Sequence, residues 1–239
     1  MESKAPMSPR FQARTAGVLT FLEGLAAVFG QIWVPGRLMV PADAVATAAN
    51  VQGNETLFRL ALAAGFVAVA LHAAQTVLFY NLFRPVDRSV ALLFVCFSVI
   101  ALALQAVSSL FQLPVLTLLE GGAGVGAIGP DERRSLAYVL FGARAQAFNV
   151  YLVFFGFRCL SVGYLIARSI FLPRIIGVLM ILSGVSYLML LWPPLVKSVS
   201  PLNMILTAPG ELSFVFWLLV VGVNGERWKE QARAAAARS

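Results

Sequence analysis

Charge is scarce in this chain. Asp, Glu, Lys and Arg make up 12% of 239 residues and hydrophobic residues 59%, where a soluble domain carries about 25% and about 45–50%. Most of the chain therefore cannot face water. Histidine is scarcer still: His72 stands alone, whereas metal-dependent membrane hydrolases need several His, Asp or Cys ligands. All three aspartates, Asp43, Asp87 and Asp131, lie between apolar runs, which excludes an intramembrane aspartyl dyad. Ser183-Gly184 lacks the preceding glycine of a nucleophile turn. No catalytic constellation, metal site or cofactor site is legible, and the chain reads as a protein without enzymatic activity. Its two cysteines, Cys96 and Cys159, sit inside apolar runs; that placement excludes a disulfide framework and suits small buried hydrophobes. Nor is there a signal-peptide cleavage site, because the first apolar run ends in Trp33-Val34-Pro35. That run is expected to stay as a membrane anchor.

What the chain has is apolar length. A bilayer core about 30 Å thick needs roughly 20 apolar residues in a helix. Six runs qualify: Ala16–Trp33, Leu57–Phe83, Val90–Phe111, Leu136–Ala167, Ile175–Trp192 and Thr207–Asn224. None alternates as a barrel strand would, so the expected fold is all-α, a six-span transmembrane bundle forming one polytopic domain over residues 1–239. The fourth run is too long for one crossing and should project from the outer face. Pro35, Pro85, Pro114, Pro173, Pro193 and Pro209 are all expected near helix ends, where a missing donor costs little.

Orientation follows from Lys and Arg. With the N-terminus inside, eleven basic residues fall on the inner side: Lys4, Arg10, Arg14, Arg84, Arg88, Arg168, Arg174, Arg227, Lys229, Arg233 and Arg238. Four fall outside: Arg37, Arg133, Arg134 and Lys197. The bias predicts both termini in the cytoplasm of a protein of the cell (inner) membrane. It also explains the net charge of +7 without nucleic acid, since bases flanking spans meet anionic lipid headgroups.

Gly124-Val125-Gly126-Ala127-Ile128-Gly129 is formally G-x-G-x-x-G, but it runs into Pro130 in an outer loop and reads as a linker, not a dinucleotide site. The first and fifth spans read alike, RTAGVLTFLEG and RIIGVLMILSG; their glycine pairs, Gly17/Gly24 and Gly177/Gly184, suggest faces where helix backbones approach closely. Pro41, Asp43 and the run Ala44–Ala49 predict a short capped helix on the outer surface, in place of a loose loop. His72, one turn from Gln75, reads as part of an interhelical hydrogen bond or as a relay.

Ionisable groups inside spans mark function by default because they are costly there. Glu23, Arg59, Arg144, Arg158 and Glu211 are of this kind, and Arg144, Tyr151 and Arg158 form one polar stripe at intervals of seven. By depth, Arg59 and Arg144 share the outer level with Glu211, leaving a surplus positive charge for an anionic group. Glu23 and Arg158, about 13 Å and about 15 Å in from Arg14 and Arg168, share a deeper level as an intramembrane polar pair.

FFGFRCLSVGYLIARSIFLPRIIGVLMILSG (Phe154 to Gly184) and PGELSFVFWLLVVGVNGERW (Pro209 to Trp228) resemble the bacterial membrane family catalogued as domain of unknown function 4386. DAVATAANVQGNETLFRL (Asp43 to Leu60) and LFYNLFRPVDRSVALL (Leu78 to Leu93) resemble its earlier blocks in the same order. The resemblance implies a six-span protein with no established activity or ligand. It places Asn50, Arg59 and Glu211 in characteristic blocks, and it departs at Arg158, where the family pattern commonly has histidine; arginine cannot shuttle a proton at ordinary pH. The reading is a non-catalytic protein that binds a lipid or anionic amphipathic ligand between helices near the outer face, through Arg59, Arg144, Glu211 and Asn50. A small transporter, or an accessory or sensor subunit with a membrane protein partner, are the alternatives.

Overall fold

The computed structural model describes residues 8–121, 124–192, 194 and 202–237. Lys4, Lys197, Arg238 and Pro193 of the sequence reading lie outside them. Among the described residues there are helices and no strands. They are α1 Pro9–Leu38, α2 Ala44–Gly53, α3 Glu55–Phe83, α4 Arg88–Glu120, α5 Pro130–Arg168, α6 Arg174–Leu191 (its last turn 3₁₀), α7 Leu202–Val220 and α8 Gly225–Ala236. Five of them, α1 and α3 to α6, are long and apolar enough to cross a bilayer. A sixth span is counted when α7 is taken with α8 across a 106° bend. Large apolar side chains such as Val77, Val139, Ile175 and Phe216 are more than half exposed, which in a membrane is where lipid tails sit. The chain is a multi-pass membrane protein.

Two predicted ends move. α4 was expected to stop at Phe111 but runs through Pro114 to Glu120. The turns beyond the proline are held by packing, since Val115, Leu116 and Leu118 join Val51, Phe58 and Phe141 in one apolar core. A proline inside a membrane helix is tolerated when neighbours hold the segment. Pro209 likewise falls inside α7, where Ser183 of α6 donates to the Thr207 carbonyl at 2.7 Å. The last span ends at Val220, four residues early. Asn224 then caps α8 by accepting from the Arg227 N–H at 3.2 Å.

Contacts divide the chain into two compact units. The terminal unit gathers Met1–Phe21, His72–Ala101 and Leu152–Ser239, and the central unit Leu22–Leu71 and Leu102–Tyr151. In the terminal unit, α5 and α6 form an antiparallel hairpin on two pairs of glycines. A methyl group added at Gly177 would lie 2.7 Å from the Gly163 carbonyl oxygen, and one at Gly184 would lie 2.9 Å from that of Gly156. Each pair is spaced by seven and meets the other in antiparallel register, so backbone lies against backbone over one heptad, about two turns. The Gly17/Gly24 expectation holds by half. Gly17 would press on Leu218 at 2.9 Å, while Gly24 faces open space. Phe79, Phe94 and Phe214 fill the centre, with ring centroids 5.4 and 6.2 Å from Phe79. Of the cysteines, Cys159 is buried as expected, but Cys96 is exposed.

In the central unit, α2 is the capped surface helix that was predicted. Asp43 accepts from the Ala46 N–H at 2.8 Å, and Thr47, Ala48 and Val51 face the core. Asn50 and Gln52 donate to the carbonyls of Leu38 and Leu119, orphan acceptors at the ends of α1 and α4. The helix thus ties two other helix ends together. Asp43→Ala should lower stability by about 1 kcal/mol and expose the Asp43–Thr56 stretch to limited proteolysis; a wild-type cleavage pattern would show that the cap is not what holds α2.

Candidate functional site

The central unit holds a buried polar cluster on three helices. It starts with an irregularity in α1: residues Val28–Trp33 form a π turn, in which the Val34 N–H reaches back five residues to the Phe29 carbonyl. Such turns insert an extra residue and often sit at functional positions. This one buries Gly30 and Gln31. Gly30 is needed because a Cβ there would lie 3.0 Å from the Gly65 backbone nitrogen of α3; Gly65 in turn leaves room for the side chains of Gln31 and Ser109. Pro35 has no N–H to offer the Gln31 carbonyl four residues back. That carbonyl instead accepts from Arg144 Nη1 at 3.1 Å, and the same nitrogen donates to Gln31 Oε1 at 2.7 Å. Gln31 Nε2 donates to Ser109 Oγ at 3.0 Å, and Ser108 Oγ donates to the Arg144 carbonyl at 3.0 Å.

Arg144 is 5% exposed. Its guanidinium carbon lies 5.5 Å from the Phe141 ring centroid, and among the described residues it has no carboxylate partner. Gln105, Ser108, Ser109 and Gln112 project from one face of α4 at helical spacing and are buried. Arg144 Nε, both amide atoms of Gln105 and Gln112 Nε2 are buried without a hydrogen-bond partner among the described residues. Buried polar groups normally find one.

The other predicted residues find other surroundings. Arg59 is at the surface, its Nε 2.7 Å from Glu55 and an Nη 3.1 Å from Glu120. Glu55 opens α3 and Glu120 ends α4, both beyond the spans expected from the sequence, and these two acids pair Arg59. Asn50 holds the Leu38 carbonyl. In the terminal unit, the Glu211 carboxylate accepts from Tyr187 Oη at 2.6 Å. Tyr187 meets Phe155 edge-on at 5.4 Å. Arg158, 4% exposed, is held between the faces of Phe155 and Phe94 at 4.9 and 5.3 Å. Phe155 is thus the common neighbour of Arg158, Tyr187 and His72, which lies edge-on to it at 6.1 Å. Glu23 is buried at 5% exposure in the central unit. Tyr151 of the stripe stacks on Phe148 at 5.1 Å.

Sequence reasoning missed Gln31 and the Gln105–Gln112 stripe. A signal existed for both: polar residues at positions 105, 108, 109 and 112 recur on one face of an apolar helix, and Gln31 stands four residues before a proline.

A family model described as Domain of unknown function (DUF4386) matches residues 15–222. No curated protein and no solved structure matches the chain.

Proposed function

The chain belongs to the domain of unknown function 4386 family, and for this member we propose non-catalytic binding of an anionic amphipath at the Gln31–Arg144 cluster. The headgroup, a phosphate or carboxylate, meets the guanidinium, and the tails lie along the lipid-facing surface of the spans. The observation that carries the reading is Arg144, a buried guanidinium with an amide partner and no carboxylate among the described residues. Burying an uncompensated cation is costly. An anionic headgroup would compensate it and would accept from Arg144 Nε and the amides of Gln105 and Gln112. Arg59 already has two carboxylates, so we place it at the rim together with Asn50. Native mass spectra of the protein extracted in mild detergent should show one bound anionic lipid fewer in Arg144→Gln and in Gln31→Leu than in wild type. An equal adduct in all three proteins would refute the site.

A small transporter is the second reading, favoured by the π turn of α1 and the internal proline of α7, which interrupt two spans. Substrate counterflow in liposomes separates the two readings.

For the membrane itself we propose the inner membrane with both termini cytoplasmic, on the Lys and Arg bias. Alkaline phosphatase should be inactive when fused after Arg88 or Ser239 and active after Gly126; an active fusion at Ser239 would invert the topology.

A further inference from the structure

α8 leaves the last membrane helix at 106°, in the direction expected of an amphipathic helix lying in the interface plane. It is fastened to the ends of two spans. Trp228 Nε1 donates to the Leu82 carbonyl of α3 at 2.8 Å, and Gln231 Oε1 accepts from the Ile170 N–H just past α5 at 3.1 Å. Between α8, the turn joining α3 to α4 and the end of α5 lies a groove of about 1050 Å³, at the top of the usual range of about 300–1,000 Å³ for ligand sites. α8, its second wall, lies beyond residue 222, where the family match ends.

The charge in this groove is unbalanced. Arg84, Arg88 and Arg168 line it, against Asp87 and Glu230. Asp87 is engaged, accepting from the Val90 N–H at 3.0 Å as the cap of α4. Arg168 Nε donates to the Tyr164 hydroxyl at 3.1 Å and is also attracted by the Asp87 carboxylate. Arg84 and Arg88 have no ion pair among the described residues, and Glu230 stands on the opposite wall. Two arginines that line one opening with no ion pair among the described residues favour a phosphate group, to which arginine donates in pairs. Bases beside a membrane span add to that attraction through the anionic leaflet.

We propose that this groove binds the phosphate of an anionic phospholipid headgroup, with α8 as its wall and Glu230 as the residue that limits affinity. The proposal is independent of the Arg144 site.

The test is native mass spectrometry of the full chain titrated with phosphatidylglycerol or phosphatidylcholine. Wild type should prefer phosphatidylglycerol. Arg84→Gln combined with Arg88→Gln should weaken that lipid by about 25-fold, near fivefold per arginine, while Arg144→Gln leaves the groove adduct in place. Glu230→Gln should tighten binding, a gain that a misfolded variant cannot imitate. Competition by millimolar inorganic phosphate without lipid selectivity would keep the phosphate site but assign its ligand to the free anion. Unchanged phosphatidylglycerol preference in the double arginine variant, or weaker binding in Glu230→Gln, would overturn the proposal.

Discussion

Gly177→Leu should leave the protein unable to close the α5–α6 hairpin, with loss of a monodisperse peak in detergent and a collapsed thermal midpoint. The expectation rests on what surrounds the position. A single methyl there meets the Ala167 backbone nitrogen at 2.6 Å and the Gly163 carbonyl at 2.7 Å, and backbone cannot swing aside as a side chain can. Overpacking by a methyl typically costs about 1–3 kcal/mol, so Gly177→Ala should fall in that range and the leucine variant beyond it. Gly163→Ala should cost a similar amount. The two alanines together should cost less than their sum, because one widening of the hairpin relieves both contacts. Gly24→Ala is the control: nothing lies within 4 Å of its added methyl, and alanine is the better helix former by about 1 kcal/mol. A wild-type midpoint for Gly177→Leu would mean that the hairpin is not packed through these glycines.

Removing the Arg144 charge should raise stability while emptying the Gln31–Arg144 site of its ligand. In protein stripped of lipid, Arg144→Met takes a guanidinium out of a buried site that offers it no carboxylate, and it puts a flexible apolar side chain in its place. Gln31 keeps its amide donation to Ser109 at 3.0 Å, and the loss of the Arg144 donor from its backbone carbonyl and Oε1 is set against the gain. Burial of an uncompensated arginine costs about 2.5–3.5 kcal/mol at mid-membrane and less toward the edge, so a gain of about 1–2 kcal/mol is expected. For a chain of this size that is about 2–4 °C per kcal/mol in the thermal midpoint. The same variant should retain one anionic lipid fewer than wild type. Opposite signs in the two measurements are the signature of a residue kept for binding. A drop in the lipid-free midpoint would instead make Arg144 a structural clamp between α1 and α5.

The residues of the candidate site divide by how local their reasons are. Arg144 was legible because a charge in an apolar run is rare enough to notice. Arg59 was equally legible, yet its carboxylates come from Glu55 and Glu120, which the sequence reading had placed outside the spans. Whether a buried charge is compensated depends on where neighbouring helices end, and in α4 that end was set by packing beyond Pro114. The Asp43 cap was readable because a cap is an interaction of a few adjacent residues. The hairpin glycines were half readable: Gly177 and Gly184 stood out on α6, but their partners Gly156 and Gly163 appear only once α5 lies beside it.

Taken alone, the sequence determined that this is a helical membrane protein with six apolar segments, a capped surface helix and a few charges inside its spans. Those conclusions need only composition, run length and contacts between near neighbours, because a bilayer obliges each apolar segment to satisfy its own backbone. The tertiary structure alone decided that Gln31, not an acid, receives Arg144, that Arg59 is paired at the surface, and that α8 turns to wall a basic groove. Each of these depends on contacts between residues distant in the chain, which lateral packing sets and the hydropathy of a single segment does not record.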